Sequence, residues 1–334
     1  MVKVTILVAV YNAARYLPQC LDSLLGQTMG DFQVICVDDA STDSSLAVVQ
    51  SYASRDSRIE VQALSENHGQ AYARNQALAH AQGLYTCFLD SDDWLASDAL
   101  EQMVAAFGCD AEVDSVLFDC RYVYPDGRVE PYPMPDFGVM SGEQAFEASL
   151  DWRVHGIYAV RTAIHQRIPY DDTCHSYSDD NTTRLHYLAS RRVATCSGVY
   201  YYRQHESSVT HQVSIRRFDY LRANASMREA LQRVGVPSRM LALYENVRWD
   251  NVVGMYLFYW LHGHELPGAE QAEALRMLRA AWRSIDVGSL SPRYRFKLGF
   301  LPFHWPLLPE GLCWRLFRWQ AGLYFRLKRL LGKI

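Results

Sequence analysis

Four near-continuously apolar runs, each followed by a helical pattern, fill the first 110 residues and leave very few folds open to this chain. The runs are residues 3–10, 32–37, 58–64 and 85–89. Unbroken apolarity, in place of alternation, marks strands covered on both faces. Between them Leu17, Leu21, Leu24 and Leu25 make one helical face, with Pro18 tolerated in the first turn. Leu46, Val49 and Tyr52 make the next, behind a Ser-Thr-Asp-Ser-Ser cluster suited to capping. Residues 71–81 read as an Ala-rich third helix, and Ser97 is expected to cap a fourth carrying Leu100, Met103, Val104 and Phe107. Repeated βα units imply an α/β fold: a doubly wound, mostly parallel sheet that binds ligands beyond the carboxyl ends of its strands.

Beyond residue 110 the pattern breaks. Asp126-Gly127 reads as a hairpin turn between 121–124 and 128–130. Pro131, Pro133 and Pro135 mark an irregular loop, and Ser141 with Gln144 has capping-box spacing. After residue 212 the chain becomes helical, aromatic and basic. The expected organisation is therefore 1–110 as a ligand-binding half, 111–212 as the second half of the same domain, and 213–334 as a helical C-terminal appendage. A chain of 334 residues has room for both parts.

Charge sharpens this division. Residues 292–334 hold nine Lys and Arg against the single acid Glu310, a net of +8, which leaves −12 on the preceding 291 residues. A nucleic-acid binder would carry its positive charge on the folded domain, so no nucleic-acid partner is expected. The longest late apolar run, 252–261, is half the roughly 20 residues a bilayer span needs. The first residues lack the long apolar stretch and cleavage site of a secretory leader, so neither span nor leader is expected. Eight cysteines without a C-x-x-C pair fit reduced thiols in a cytoplasmic protein.

Carboxylates gather where such a sheet binds ligands. The second run ends in Asp38-Asp39 and the fourth in Asp90-Ser91-Asp92-Asp93. Like charges this close repel unless a cation neutralises them, and hard oxygen ligands suit Mg²⁺ or Mn²⁺ completed by substrate phosphates. The same residues also make good turn chemistry. Neither G-x-G-x-x-G nor G-x-x-x-x-G-K-[ST] occurs. Their absence disfavours a nicotinamide-dependent oxidoreductase and favours a metal as the neutraliser of a diphosphate.

Taken in order, VTILVAVYNAARYLPQCLDSLLGQT, VICVDDASTDSS, ENHGQAYARNQAL and YTCFLDSDDWL resemble the nucleotide-sugar half of family 2 glycosyltransferases. The resemblance is strong over residues 3–107. It continues more weakly through Ser178-Asp179-Asp180-Asn181 and through 202–208, and nothing specific is recognised beyond 212. It implies a GT-A fold and a metal-dependent, inverting transfer of a sugar from a nucleotide-diphosphate sugar, UDP-linked by expectation. The acceptor it implies is a hydroxyl of a glycan or lipid-linked molecule in surface polysaccharide synthesis.

By that resemblance Val10 and Tyr11 line the nucleobase pocket, and Asp39 accepts a hydrogen bond from uracil. Asn67, Gly69 and Arg74 lie beside the nucleotide and donor sugar. Asp90 faces the ribose and joins Asp92 at the Mn²⁺ or Mg²⁺. Asp180 matches the catalytic base, with Asp179 in place of the family's usual Glu, and Arg203 and His205 close over the diphosphate. Ala9 stands where the family usually has Pro, and Ala40 where it has Gly.

The chemistry asks for such groups independently. Displacement at an anomeric carbon needs a base on one face of the sugar and a stabilised diphosphate on the other. Each residue also has a structural alternative. Asp180 suits the cap of a helix over 182–188, Arg74 the surface of an Ala-rich helix, and His205 a plain loop. His155, His165, His175 and His186 lack ligand spacing and read as structural. A nucleotide-sugar-binding regulatory protein without turnover is the alternative for the whole chain.

The tail carries a further expectation. On a helical wheel Arg315, Arg318, Arg326, Arg329 and Lys333 fall within about 80°. Leu316, Phe317, Leu323, Tyr324, Leu327, Leu330, Leu331 and Ile334 fill a separate arc of roughly 140°, with Trp319 and Phe325 at its borders. Upstream, Phe300, Leu301, Phe303, Trp305 and Leu307 form a Pro-punctuated apolar stretch. Basic and apolar faces side by side suit an interfacial helix on an anionic membrane surface. The expectation is a cytoplasmic protein held peripherally on the inner membrane face through 293–334. A packed helix or a homodimer contact is the competing reading.

Overall fold

The computed structural model describes residues 1–135, 137–174, 177, 179–204 and 213–334, and the chain divides into two compact units, Met1–Ser208 and Val209–Ile334. In the first unit the strands are β1 (Val4–Val10), β2 (Phe32–Asp38), β3 (Ile59–Ala63), β4 (Tyr85–Phe88), β5 (Trp94–Leu95), β6 (Val113–Val123), β7 (Val129–Pro131), β8 (Val139–Ser141), β9 (Tyr158–Arg161) and β10 (Arg192–Arg203). They form one sheet in the order β3-β2-β1-β4-β9-β6-β10-β5, with β7 added on β6 and β8 on β10. The long pairings are parallel: β1 with β2 and β4, β2 with β3, and β6 with β10. The antiparallel pairings are short, where β9 enters between β4 and β6 and where β5, β7 and β8 attach.

Among the described residues seven helices cover the two faces: α1 (Leu17–Leu25), α2 (Ser45–Ala53), α3 (Gln70–Leu78), α4 (Ala99–Cys109), α5 (Gly142–Ser149), α6 (Thr162–Arg167) and α7 (Asp179–Ala189). Val4, Ile6, Val8 and Val10 pack with Leu17, Leu21 and Leu24 of α1, Val49 of α2, and Leu100 and Met103 of α4. Leu7, Ile35 and Val37 point the other way, onto Ala71, Ala73, Ala77 and Leu78 of α3. Successive side chains leave a strand on opposite faces, so a sheet covered twice needs apolar residues at both parities. Burying each Val or Leu is worth about 1.5–3 kcal/mol.

Local signals are realised with one displacement. Gly127 N donates to Tyr124 O at 2.9 Å and Tyr124 N to Arg128 O at 2.9 Å, closing the expected hairpin. Both bonds of the Ser141–Gln144 capping box are present at the start of α5. Ser97 does not cap α4; Asp98 occupies that position. The strand contact persists to Ala96, whose N–H reaches Val199 O at 2.9 Å, so the helix starts one residue later than the pattern suggests.

The second unit is helical, as expected, with α8 (Asp219–Val234), α9 (Ser238–His262), α10 (Gly268–Arg283), α11 (Pro292–Arg295) and α12 (Glu310–Leu330). Trp249, Val252, Tyr256, Leu278, Trp282 and Phe317 belong to its core. Among the described residues no helix is long and apolar enough to cross a membrane.

The tail departs from its expected single apolar arc. Cys313, Trp314, Phe317, Ala321 and Phe325 of α12, together with Phe300 upstream, are buried in that core. Leu312, Trp319, Leu323, Leu327 and Leu330 are exposed. Apolar residues therefore occupy two opposed faces of α12, and packing claims one of them.

Candidate active site

The loops that leave β1 and β2 are latched together by one side chain. Asn12 Oδ1 accepts from Thr42 N at 2.8 Å and from Asp43 N at 3.3 Å, and Asn12 N donates to Ser41 Oγ at 3.1 Å. Asn12 and Ala40 both take positive φ, 49° and 58°. Asn tolerates this region, whereas Ala pays a steric penalty there. Val10 is 1% exposed and packs in the core, so it meets this loop region only through its backbone, where its carbonyl accepts from Asp39 N at 2.8 Å. Tyr11 is 48% exposed at the strand end.

Asp39 is buried and holds the segment ahead of α3. Its carboxylate accepts from Asn67 Nδ2 at 2.9 Å, His68 N at 2.8 Å and Gly69 N at 2.8 Å. Three donors leave lone-pair capacity on Oδ1 for one more. Gly69 sits at φ 94° and ψ 164°, a region open essentially to glycine alone. That bend starts α3 so that Gln70 and Arg74, one turn apart, share a face.

Both reach Asp90. Gln70 Nε2 donates to Asp90 Oδ1 at 2.7 Å and Arg74 Nη2 to the same oxygen at 2.5 Å. Arg74 is 1% exposed, so the surface-residue alternative is excluded. The small side chains of α3 let that helix approach closely, and the guanidinium lies 4.0 Å from the Phe88 ring centroid and 5.4 Å from that of Tyr170. Its Nη1 also stands 3.8 Å from Asp179 Oδ2, so residues 74, 90 and 179 come together.

Asp93 and Arg203 complete the other side. Asp93, 2% exposed, accepts from Tyr200 Oη at 2.8 Å and from Arg203 N at 2.7 Å. Arg203 Nε donates to the Asp92 carbonyl at 2.7 Å and Nη2 to Gln19 Oε1 at 2.6 Å. Its guanidinium lies 4.9 Å from the Tyr16 ring and 4.6 Å from that of Trp94. Arg203 is thus held beside Asp92, which is half-buried. His205 lies outside the described residues, as does His175.

Electrostatics separate these carboxylates. Burial pushes the Asp90 carboxyl up to about 6, Arg74 opposes the rise, and Asp92 and Asp179 add to it. Burial, then Asp90 and Asp92, push Asp93 well above the ordinary range. Asp180 rises to about 7, through burial first, with Arg184 lowering it and Asp179 raising it. Asp179 and Asp180 both open α7, yet Asp179 meets Arg74 while Asp180 lines a separate cavity with Trp152, His155 and Arg184.

Desolvated, mutually repelling oxygens are the donor chemistry a hard divalent cation relieves, so Asp92 and Asp90 fit one. Among the described residues no three His, Cys, Asp or Glu side chains are grouped to hold a metal. One or two carboxylates is the protein's usual share at a Mg²⁺ site whose other ligands are water and phosphate.

Several partners carried no sequence signal. Tyr200 lies in an apolar stretch of β10 and reads as core; its hydroxyl chemistry emerges only when β10 brings it to Asp93. Trp152 and His155 lie in an irregular connection. His165 and His186 are buried with partners, Thr86 Oγ1 at 2.8 Å and the Ile168 carbonyl at 2.7 Å, in line with a structural reading.

Residues 5–169 match the family described as glycosyl transferase family 2. The chain is 41% identical over 119 residues to EpsH of Bacillus subtilis, covering 36% of this chain and 33% of that protein. It is 37% identical over 136 residues to the chondroitin synthase of Pasteurella multocida, 40% and 14% of the two chains. It is 44% identical over 101 residues to the poly(ribitol-phosphate) beta-glucosyltransferase of Bacillus spizizenii, 29% and 16% of the two. The chain thus spans a third or less of these relatives. Among solved structures, S. aureus TarS 1–349 in complex with UDP-GlcNAc superposes with a TM-score of 0.75 at 19% identity, over 99% of this chain and 92% of that one. The mannosyltransferase PcManGT of Pyrobaculum calidifontis, in complex with GDP-Man and Mn²⁺, superposes with a TM-score of 0.54 at 18% identity, over 99% and 88%. These two likenesses establish a shared fold.

Proposed function

The chain belongs to glycosyl transferase family 2 through residues 5–169, and on that premise we propose that it transfers a sugar, with inversion, from a UDP-linked donor to a hydroxyl of a surface-polysaccharide acceptor. The observation that carries the reading is the split between two adjacent carboxylates. Asp179 faces the Arg74–Asp90 pair, while Asp180 sits apart in its cavity with a pKa of about 7. Neighbouring acids driven into different settings are the pattern of a divided acid–base task.

In this proposal Asp180 takes the proton of the acceptor hydroxyl as its oxygen attacks the anomeric carbon. The bond from that carbon to the diphosphate oxygen breaks, the electron pair leaves with the nucleoside diphosphate, and the configuration inverts. Arg203, fixed between Tyr16 and Trp94, attracts the departing charge. Asp39 steadies the 67–69 segment beside the nucleotide and offers its remaining lone pair to the base, with Tyr11 alongside. Asp92 and Asp90 would hold Mn²⁺ or Mg²⁺, which would supply Lewis-acid stabilisation of the diphosphate.

A UDP donor is supported by the fold neighbour that holds UDP-GlcNAc. A glycan or polyol-phosphate acceptor is supported by the names of the chondroitin synthase and the poly(ribitol-phosphate) beta-glucosyltransferase above, and the proposal includes a lipid-linked form of it. The proposal also includes a cytoplasmic location on the inner membrane face, reached through 293–334. Large exposed apolar residues there, among them Phe296, Leu298, Leu307 and Trp319, accompany the +8 charge and support that docking.

The test is a panel of UDP-, GDP- and dTDP-sugars incubated with the full chain, with and without Mn²⁺ and without acceptor. Release of free sugar from a UDP-sugar, dependent on metal, is expected. Metal-dependent binding without release from any donor would favour the regulatory reading. Undiminished release in EDTA would remove the metal.

A further inference from the structure

Asn75 stands in a helix that gives it no local reason to be there. Its neighbours on α3 include Ala71, Ala73 and Ala77, and Asn is a poorer helix former than Ala because its amide competes for backbone groups. Its side chain instead takes both backbone polar groups of one residue 95 positions away. Asn75 Oδ1 accepts the Tyr170 N–H at 2.8 Å, and Nδ2 donates to the Tyr170 carbonyl at 2.9 Å. Nδ2 also lies 3.4 Å from Asp172 Oδ2. Residues 170–173 form neither helix nor strand, and Tyr170 is buried, so its backbone needs partners from outside any ladder. The reciprocal pair from Asn75 supplies them as a neighbouring strand would.

The same stretch holds the start of α7. Asp171 N donates to Thr182 Oγ1 at 2.9 Å, and Asp171 Oδ2 accepts from Asn181 Nδ2 at 2.8 Å. Asn181 and Thr182 are both buried and follow Asp180 directly in the chain. Asp171 Oδ1 accepts from Thr173 N at 3.1 Å, which fixes the orientation of the carboxylate. One step back along α3, Arg74 meets Asp90 and Asp179, and the Tyr170 ring centroid lies 5.4 Å from its guanidinium. Two adjacent residues of α3 therefore serve different parts of the site. Arg74 holds Asp90, and Asn75 holds the segment that anchors the first turn of α7.

We propose that Asn75 is a positioning residue for the base: it locks residues 170–172 to α3, and Asp171 passes that register to the first turn of α7, fixing Asp180 relative to the donor side of the site. The inference rests on Asp180 being the base. Asn75 acts through Asp171, Asn181 and Thr182, and only a side chain that both donates and accepts can satisfy Tyr170 in this way. A base must stand within hydrogen-bond reach of the attacking oxygen, and a misplacement of about 1 Å can cost about 10²-fold in rate. Asn75 is itself half-buried and lies outside the apolar cluster that Ala71, Ala73, Ala77 and Leu78 form with the sheet, so its truncation leaves that core intact.

The experiment measures release of free sugar by the full chain from the donor found in the nucleotide-sugar panel, with water in the acceptor's place. Asn75→Ala should lower kcat by about tenfold or more and leave the donor KM within about twofold. Asp171→Asn, which turns an N–H towards one of the groups its carboxylate accepts from, should lower kcat in the same way. The deciding readout is a double-mutant cycle with the base. In an Asp180→Asn background, Asn75→Ala should cost no more than about twofold further, since no base is left to position. A general loss of structure would instead multiply through both backgrounds. Equal losses from Asn75→Ala in the two backgrounds, or an unchanged kcat in both single variants, overturn the positioning role alone. Full activity in Asp180→Asn removes the base, and no release from any donor by the wild type removes the transferase reading; either takes the positioning role with it.

Discussion

At the scale of single residues, chemistry here is decided by one step along a helix. Asp179 and Asp180 are separated by about 100° on α7, enough to place one carboxylate against Arg74 and the other in the cavity lined by Trp152, His155 and Arg184. Asp180→Asn is expected to lower turnover by at least about 10²-fold, the scale of general-base loss, with donor affinity nearly unchanged. A base must be deprotonated, so kcat/KM should climb with pH up to about 7 and then level off. Because folding raises this pKa above the ordinary 3.8, folding favours the protonated form, and charging Asp180 opposes stability as pH rises through about 7. A profile flat between pH 5 and 8 would contradict the assignment. Ala40 makes a second case. The usual residue of the family there is Gly, and the φ of 58° explains why. Ala40→Gly should relieve strain and stabilise the chain by about 1 kcal/mol, read from denaturant midpoints.

At the scale of elements, α12 shows how far a periodicity can be trusted. Its apolar residues recur at helical spacing, but the pattern does not reveal which of them face the protein. Leu312, Trp319, Leu323, Leu327 and Leu330 fall within about 80° on the wheel, roughly opposite the buried Trp314, Ala321 and Phe325. The loop before the helix flanks this stripe, since Leu301 N donates to Gln320 Oε1 at 2.9 Å and the Phe300 and Tyr324 rings meet at 5.8 Å. Gly299, at φ 104°, permits that approach, because a Cβ there would strike the Tyr324 ring. Replacing both Leu323 and Leu327 by Glu should cut sedimentation with phosphatidylglycerol vesicles by about tenfold or more while the thermal midpoint holds. Phe317→Ala acts on the other face and should cost about 3–5 kcal/mol. Wild-type protein that ignores such vesicles at low salt would assign the stripe to another partner.

At the scale of the whole molecule, charge and cores set what experiments mean. If the tail docks on vesicles as proposed, its +8 against −12 elsewhere predicts binding that weakens between low and physiological ionic strength. Cutting the chain after residue 291 is a poor test of docking. It removes Phe300, Trp314, Phe317 and Phe325 from the core of the second unit along with the exposed stripe. Point changes on the exposed face separate docking from folding.

The sequence by itself determined the sheet-and-helix order of the first 110 residues, because β1 and β2, covered on both faces, are apolar at nearly every position. The edge strand β3, with Glu60 and Gln62, is only partly buried and not covered on both faces as its pattern suggests. It also determined where the carboxylates cluster, since Asp39, Asp90 and Asp92 follow directly from strand ends and short motifs. Tertiary structure alone decided which groups meet. Tyr200 reaches Asp93 from 107 positions away, Asp179 at the start of α7 reaches Arg74 on α3, and His155 lines the same cavity as Asp180. Local periodicity records which face of an element is buried. It carries no record of what that face is buried against, because that depends on strand order and on helices brought together by loops without a repeating pattern.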